Sequence, residues 1–171
     1  MAIATEIAPE AELRNPYQSL SRYINREQSW LEFNKRVLQE ALEERHPLLE
    51  RVKFLSIFST NLDEFFMIRV AGIKQQIAAR VVGRSPDGMT PTEQLFAIRR
   101  AVTELADQQR NCWLDDIQPK LRAQGVYILD YDELDDHQRA YCKDYFEREV
   151  FPVLTPLAFD PSHPFPQISN L

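Results

Sequence analysis

The residues best suited to chemistry lie in one run, Ser59-Thr60-Asn61-Leu62-Asp63-Glu64, set inside the apolar stretch from Pro47 to Gln76. Asn61 carries a hydrogen-bond donor beside an acceptor. That pair matches the edge of adenine, where an amino group lies next to a ring nitrogen. The same carboxamide could equally cap its own backbone at a helix joint. Asp63 and Glu64 are adjacent carboxylates at an apparent helix start, where the helix dipole favours negative charge. Neighbouring helical residues point about 100° apart and do not face each other, so the two read as structural acids rather than one site. Arg69 can reach a phosphate or snorkel from an apolar face. Arg51 and Lys53 read as solvated, or paired with Glu50 and other acids. Phe54, Phe58, Phe65 and Phe66 could line a base-stacking pocket, although aromatics at helical spacing more often form core. His46, His137 and His163 share no metal-ligand spacing and have no nucleophile nearby. No glycine-rich phosphate loop occurs. The residues by themselves show neither a catalytic constellation nor a metal site.

Positioning Asn61 falls to the helices around it. Apolar residues at Leu48, Val52 and Leu55, at Phe54, Phe58, Leu62 and Phe65, and at Phe66, Val70, Ile73 and Ile77 form overlapping rows at helical spacing. They predict two helices, about 48–59 and 61–80, buried on most sides and meeting at the polar run. Upstream, Ser29-x-x-Glu32 has the form of a capping box and predicts a helix from Trp30, with Phe33, Val37, Leu38, Ala41 and Leu42 as its apolar face. His46-Pro47 ends it. The short connection makes the helices antiparallel neighbours.

Downstream, Gly83–Met89 is rich in turn residues and reads as a loop and hinge. Thr90-Pro91-Thr92-Glu93 is the strongest helix start in the chain, for a helix of about 91–123. Gly125 stops that helix, and Pro119 predicts a kink or an early end. Val126–Leu129 is the first credible strand. A helix over about 133–150 follows, with Leu134, Ala140, Tyr141, Tyr145 and Phe146 available for burial. Val153–Phe159 could be a second strand before a proline-rich end. One or two strands without a sheet leave backbone groups unpaired, so the α/β unit reads as incomplete.

The chain has 171 residues, 44% hydrophobic and 27% charged, enough to bury a core in one domain or two small ones. Its net charge of −6 repels polyanions and argues against a nucleic-acid partner. Cys112 and Cys142 read as buried or half-buried thiols in a reducing compartment. Residues 1–22 read as a loose tail. No apolar run is long enough to cross a bilayer, and no secretory signal opens the chain. The expected location is the cytoplasm.

Three stretches are more specific: YINREQSWLEFNKRVLQEA (Tyr23–Ala41), PLLERVKFLSIFSTNLDEFFMIRVAG (Pro47–Gly72) and FPVLTPLAFDPSHPFPQISNL (Phe151–Leu171). Together they resemble the N-terminal region of the bacterial polyphosphate kinase family, the large type that uses an active-site histidine. The resemblance implies a mainly α chain. In it a tail (1–22) precedes a helical N-terminal bundle domain (23–86) and the start of an α/β head domain (87–171). It implies reversible transfer of the terminal phosphate of ATP to polyphosphate through a phosphohistidine, with Mg2+. The catalytic histidine and the metal ligands would lie beyond Leu171, so the chain alone would be inactive. It further implies a homo-oligomer at full length, leaving open that this region serves mainly as a docking and dimerisation module. One family nucleotide contact, the asparagine of the S-N-L-D-E-F motif, corresponds to Asn61. The family more often has Ser or Asn where Thr60 stands here.

Overall fold

The computed structural model describes residues 20–156, 161, 162 and 165. Its helices are α1 (Arg26–Leu42), α2 (Leu48–Phe65), α3 (Ala71–Ala78), α4 (Pro91–Asn111), α5 (Gln118–Ala123) and α6 (Asp136–Tyr145). A π-helical turn, Phe66–Val70, joins α2 to α3, and a second, Cys112–Ile117, joins α4 to α5. The backbone stays helical through both, so each trio forms one long rod. α1 packs against α2 and α4, and α3 packs against α4. Hydrogen bonds fix the directions. Asn34 meets Phe58 and Arg51 meets Ala41, so α1 and α2 are antiparallel. Gln109 meets Leu55 and Ser59, so the second rod returns along the first. The result is an antiparallel bundle of three rods.

The polar run does not break the helix. Thr60 Oγ1 donates to the Ser56 carbonyl at 3.1 Å and Ser56 Oγ to the Val52 carbonyl at 3.2 Å. Both hydroxyls thus bond four residues back instead of capping a new start. The irregularity comes later, in the apolar spacing. Arg51, Leu55, Phe58, Leu62 and Phe65 follow one another at steps of four and three, with all but the half-buried Leu62 fully buried. The next buried residues are Val70 and Ile73, after a step of five across the first π turn. What reads in sequence as two overlapping rows is one face re-registered by a wider turn. The second rod repeats the device, with Ile98, Leu105 and Cys112 buried before a step of five to Ile117 and then Leu121. Pro119 follows this second π turn and lies in the first turn of α5, so its missing N–H does not end the rod.

Two apolar clusters result. Leu38, Ala41, Leu55, Phe58, Leu105, Cys112, Ile117 and Leu121 form one, while Leu31, Phe65, Val70, Ile73 and Ile98 form the other. Leu62 packs against both. Arg51 is buried, with 3% of its side chain exposed, rather than solvated. Its Nε donates to the Ala41 carbonyl at 2.7 Å, and its guanidinium pairs with Asp116. Asp116 also pairs with Lys120 at 2.5 Å, and Lys120 with Glu44 at 3.1 Å. This network ties the end of α1 to both rods. Lys53 pairs with Glu50 at 2.9 Å, as the sequence suggests.

Helix α1 starts four residues earlier than the Ser29 capping box predicts. Asn25 is the cap, accepting from the Glu27 and Gln28 N–H groups at 3.0 and 3.2 Å. The buried face of α1 is Leu31, Asn34, Leu38 and Ala41, while Phe33 and Leu42 are exposed. Thr90 and Glu93 form the predicted reciprocal cap. The Thr90 backbone N–H and hydroxyl hold the Glu93 carboxyl below its usual range.

Both rods end in a left-handed residue, with the following N–H reaching the carbonyl five residues back: Val81 to Gln76 and Val126 to Leu121. Gly125 fills that position after α5, but Arg80 fills it after α3, at φ 52°. A non-glycine residue is strained there. Arg80→Gly is expected to raise stability by about 0.5–1 kcal/mol, net of the greater chain entropy of glycine, read as a higher urea midpoint.

Beyond Gly125 the sequence reading needs correction. Val126–Leu129 is not a strand, and among the described residues no strand occurs. Apolar β-branched residues make a strand only where a neighbour supplies backbone partners, and none does so here. Of the second strand expected over Val153–Phe159, Val153 instead ends a 3-10 turn begun at Phe151 and residues 157–159 lie outside the described residues, as do residues 1–19 of the expected tail. Helix α6 starts at Asp136, capped by Asp135 and Gln138, rather than near 133. Cys112 is buried, and burial pushes its thiol pKa up; Cys142 is exposed on α6, and both are free thiols.

Candidate functional site

A cleft of about 1100 Å³ opens where the N-terminal end of α1 meets α2, the first π turn, α3 and the 81–87 loop. Its floor is aromatic, with Trp30 stacked on Phe65 at 4.4 Å between ring centroids and 13° between planes. Its wall is charged. Glu27, only 6% exposed at its side chain, bridges Arg26 at 3.0 Å and Arg69 at 3.2 Å. Asn25 donates to Asp87 and to Gln94, each at 3.3 Å, fastening the 83–89 loop and the start of α4 to the cap of α1. The loop is also pinned internally, by Gly88 N–H to the Ser85 carbonyl at 2.7 Å and Ser85 N–H to the Met89 carbonyl at 2.9 Å. Gly88 has φ 91°, and a Cβ there would lie 2.9 Å from Leu20.

Asn61 lines this cleft and is half-buried. Its Nδ2 donates to Asn34 Oδ1 at 2.9 Å, and Asn34 Nδ2 donates to the Phe58 carbonyl at 3.1 Å. Among the described residues nothing bonds the Asn61 oxygen. Glu64, Phe65 and Arg69 share the cleft with Asn61, whereas Asp63 is exposed away from it. Phe58 is core, and Phe54 is half-buried beside His46 at 5.7 Å. Phe66 borders a separate apolar groove between the first π turn, α3 and α4. His46 pairs with Glu40 at 2.6 Å, His137 is exposed, and His163 lies outside the described residues.

Three residues of the cleft and its support escape a reading built on apolar rows and paired charges: Glu27, Trp30 and Asn34. Asn34 did leave a signal. It lies three residues after Leu31 and four before Leu38, both buried, so a polar side chain occupies a core position. Among the described residues no group of three or more His, Cys, Asp or Glu could hold a metal ion, and no helix is long and apolar enough to cross a membrane.

The described residues thus define a helical domain with a cleft in which a carboxamide and an arginine stand over an aromatic floor. The chain belongs to the polyphosphate kinase family: the polyphosphate kinase N-terminal domain matches residues 23–129 and the polyphosphate kinase middle domain residues 137–171. It is 52% identical over 169 residues to the polyphosphate kinase of Prosthecochloris aestuarii, covering 98% of this chain and 24% of that protein. It is 53% identical over 152 residues to polyphosphate kinase 1 of Chlorobaculum tepidum, covering 88% of this chain and 22% of that one. The crystal structure of the Porphyromonas gingivalis polyphosphate kinase superposes with a TM-score of 0.67 at 33% identity, over 85% of this chain and 20% of that chain. The chain therefore spans about a quarter or less of the relatives it matches.

Proposed function

We propose that this chain supplies the adenine-side contact of an enzyme that reversibly transfers the terminal phosphate of ATP to polyphosphate. The observation that carries this reading is the state of Asn61. One of its N–H bonds is committed to Asn34, while its oxygen and second N–H remain for a ligand in the cleft. That remainder can accept from the adenine amino group and donate to the adjacent ring nitrogen. The Trp30–Phe65 pair offers an apolar floor, and Arg69 an adjacent positive charge.

Transfer through a phosphohistidine and the binding of Mg2+ are assigned to other parts of the full-length enzyme, and no residue of this chain is given either role. The 171 residues alone are expected to turn over no ATP. The full-length enzyme is taken to work in the cytoplasm as a homo-oligomer. In a full-length polyphosphate kinase carrying this sequence, Asn61→Ala is expected to raise the KM for ATP about five- to tenfold with kcat little changed, the loss of one or two neutral hydrogen bonds. An unchanged KM in steady-state kinetics refutes the contact.

A second reading, docking and dimerisation, draws on the exposed aromatics of α6 and its continuation. Tyr141 stacks on Tyr145 at 6.4 Å and Phe146 meets Phe151 at 6.1 Å, all on the surface. An Asn61→Ala enzyme with an altered oligomer and normal ATP use would favour it.

A further inference from the structure

We propose that Asn34 is a positioning residue that fixes the direction of the Asn61 carboxamide and thereby makes the cleft select a 6-amino purine over a 6-oxo purine. This rests on the reading of Asn61 as the adenine contact. The Phe58 carbonyl can only accept, so the arm of Asn34 that faces it, 3.1 Å away, must be the amide nitrogen. Asn34 has no exposed surface and lies between the rods, so its other arm must be the oxygen. That oxygen, 2.9 Å from Asn61, can only accept, and Asn61 must turn its nitrogen toward it. The two arms of a carboxamide diverge, so the Asn61 oxygen is left for the cleft. A flipped Asn61 would set oxygen against oxygen at a site with no exposed surface on the Asn34 side, where an unmet polar group is costly.

The consequence is chemical selection. Where adenine carries an amino group that donates, guanine carries a carbonyl that only accepts. An oxygen held at that position bonds the first and repels the second. Without Asn34 the Asn61 carboxamide is free to flip, offering its oxygen to the 6-amino group of one purine or its NH2 to the 6-carbonyl of the other.

The test uses a full-length polyphosphate kinase carrying this sequence, with kcat/KM for ATP and for GTP measured on the same sample. Their ratio does not depend on the folded fraction, so a destabilised variant still reports. Asn34→Leu keeps the branched shape and the number of side-chain heavy atoms, at a larger volume, without hydrogen bonds, and Asn34→Ala, which cannot overpack, serves as its check. Each is expected to lower the ATP/GTP ratio about tenfold, the worth of one well-placed neutral hydrogen bond, chiefly through the KM for ATP. In the Asn61→Ala background the Asn34 changes should leave the ratio where Asn61→Ala alone puts it. An unchanged ratio in the Asn34 variants, with Asn61→Ala still raising the KM for ATP, overturns the positioning role and spares the adenine contact. A ratio that falls further in the doubly substituted enzymes also overturns it, since Asn34 would then act by another route. If Asn61→Ala leaves the KM for ATP unaltered, the adenine contact itself fails, and the positioning role with it.

Discussion

Phe58→Ala is expected to lower the stability of the chain by about 3–5 kcal/mol, the range for emptying a fully buried aromatic site. Phe58 has no exposed surface and sits in one apolar cluster with Leu38, Ala41, Leu55, Leu105 and Ile117, which come from α1, both rods and the second π turn. Its neighbours are held by three separate elements, so they cannot all close in on the vacated space. A domain of this size loses roughly 2–4 °C of Tm per kcal/mol, so a fall of about 6–20 °C follows. Urea titration of the helical circular dichroism signal measures the change directly. A loss under about 2 kcal/mol would mean that the site collapses and that the rods are less rigidly registered than their π turns imply.

Arg51→Ala is expected to cost about 3 kcal/mol, toward the lower end for breaking a buried charge pair. Two features set the size. The substitution strips the Ala41 carbonyl of its 2.7 Å partner at the end of α1, leaving only a 3.7 Å contact from the Cys112 thiol. It does not strand Asp116, which keeps Lys120 at 2.5 Å. Asp116 gives the network a pH signature. Lys120 first, and then Arg51, hold its carboxyl below the usual carboxylate range, against burial, which raises it. A carboxylate with a depressed folded pKa stabilises the fold above its unfolded pKa of about 4, and the contribution is lost as pH falls through the lower folded value. Lys120 and Arg51 both have raised pKa values and stay charged throughout, Arg51 because the Asp116 pair outweighs its own burial. The gap in stability between the parent chain and Asp116→Asn should therefore be full at pH 6–7 and close below about pH 4. A gap independent of pH would show that the carboxylate charge plays no part.

Much of the bundle was legible in sequence because burial follows helical spacing and because the Thr90 cap and Gly125 stop are strong local signals. The long helix from Pro91 to about 123 and the antiparallel pairing of α1 with α2 were read in this way. Other features were hidden for physical reasons. A search at steps of three and four sees a five-residue step as a new row, so the π turns at Phe66–Val70 and Cys112–Ile117 went unread. The run from Ser59 to Glu64 was taken to break the helix, yet Thr60, like Ser56 one turn before it, satisfies its hydroxyl on the preceding turn. Arg51 was read by its charge and Asn34 passed over, although both occupy core positions. For the site, Asn61 was visible as chemistry only. What orients it comes from a residue 27 positions away on another helix, which no local pattern encodes.

The π turn between α2 and α3 makes the length of that segment matter more than its side chains. Each residue added to or removed from a helix rotates everything beyond it by about 100°. A one-residue deletion between Phe66 and Val70 would turn the step of five into one of four and let the turn close to a regular α-helix with Val70 and Ile73 still on the buried face. A one-residue insertion would instead swing Ile73 and Ile77 off the face that meets α4, while Asn61, upstream, kept its place. Met67 and Ile68 are exposed and belong to neither apolar cluster, so substitutions there cost the bundle little. One further residue there would turn Gly72, Ile73 and Gln76 out of the wall of the cleft.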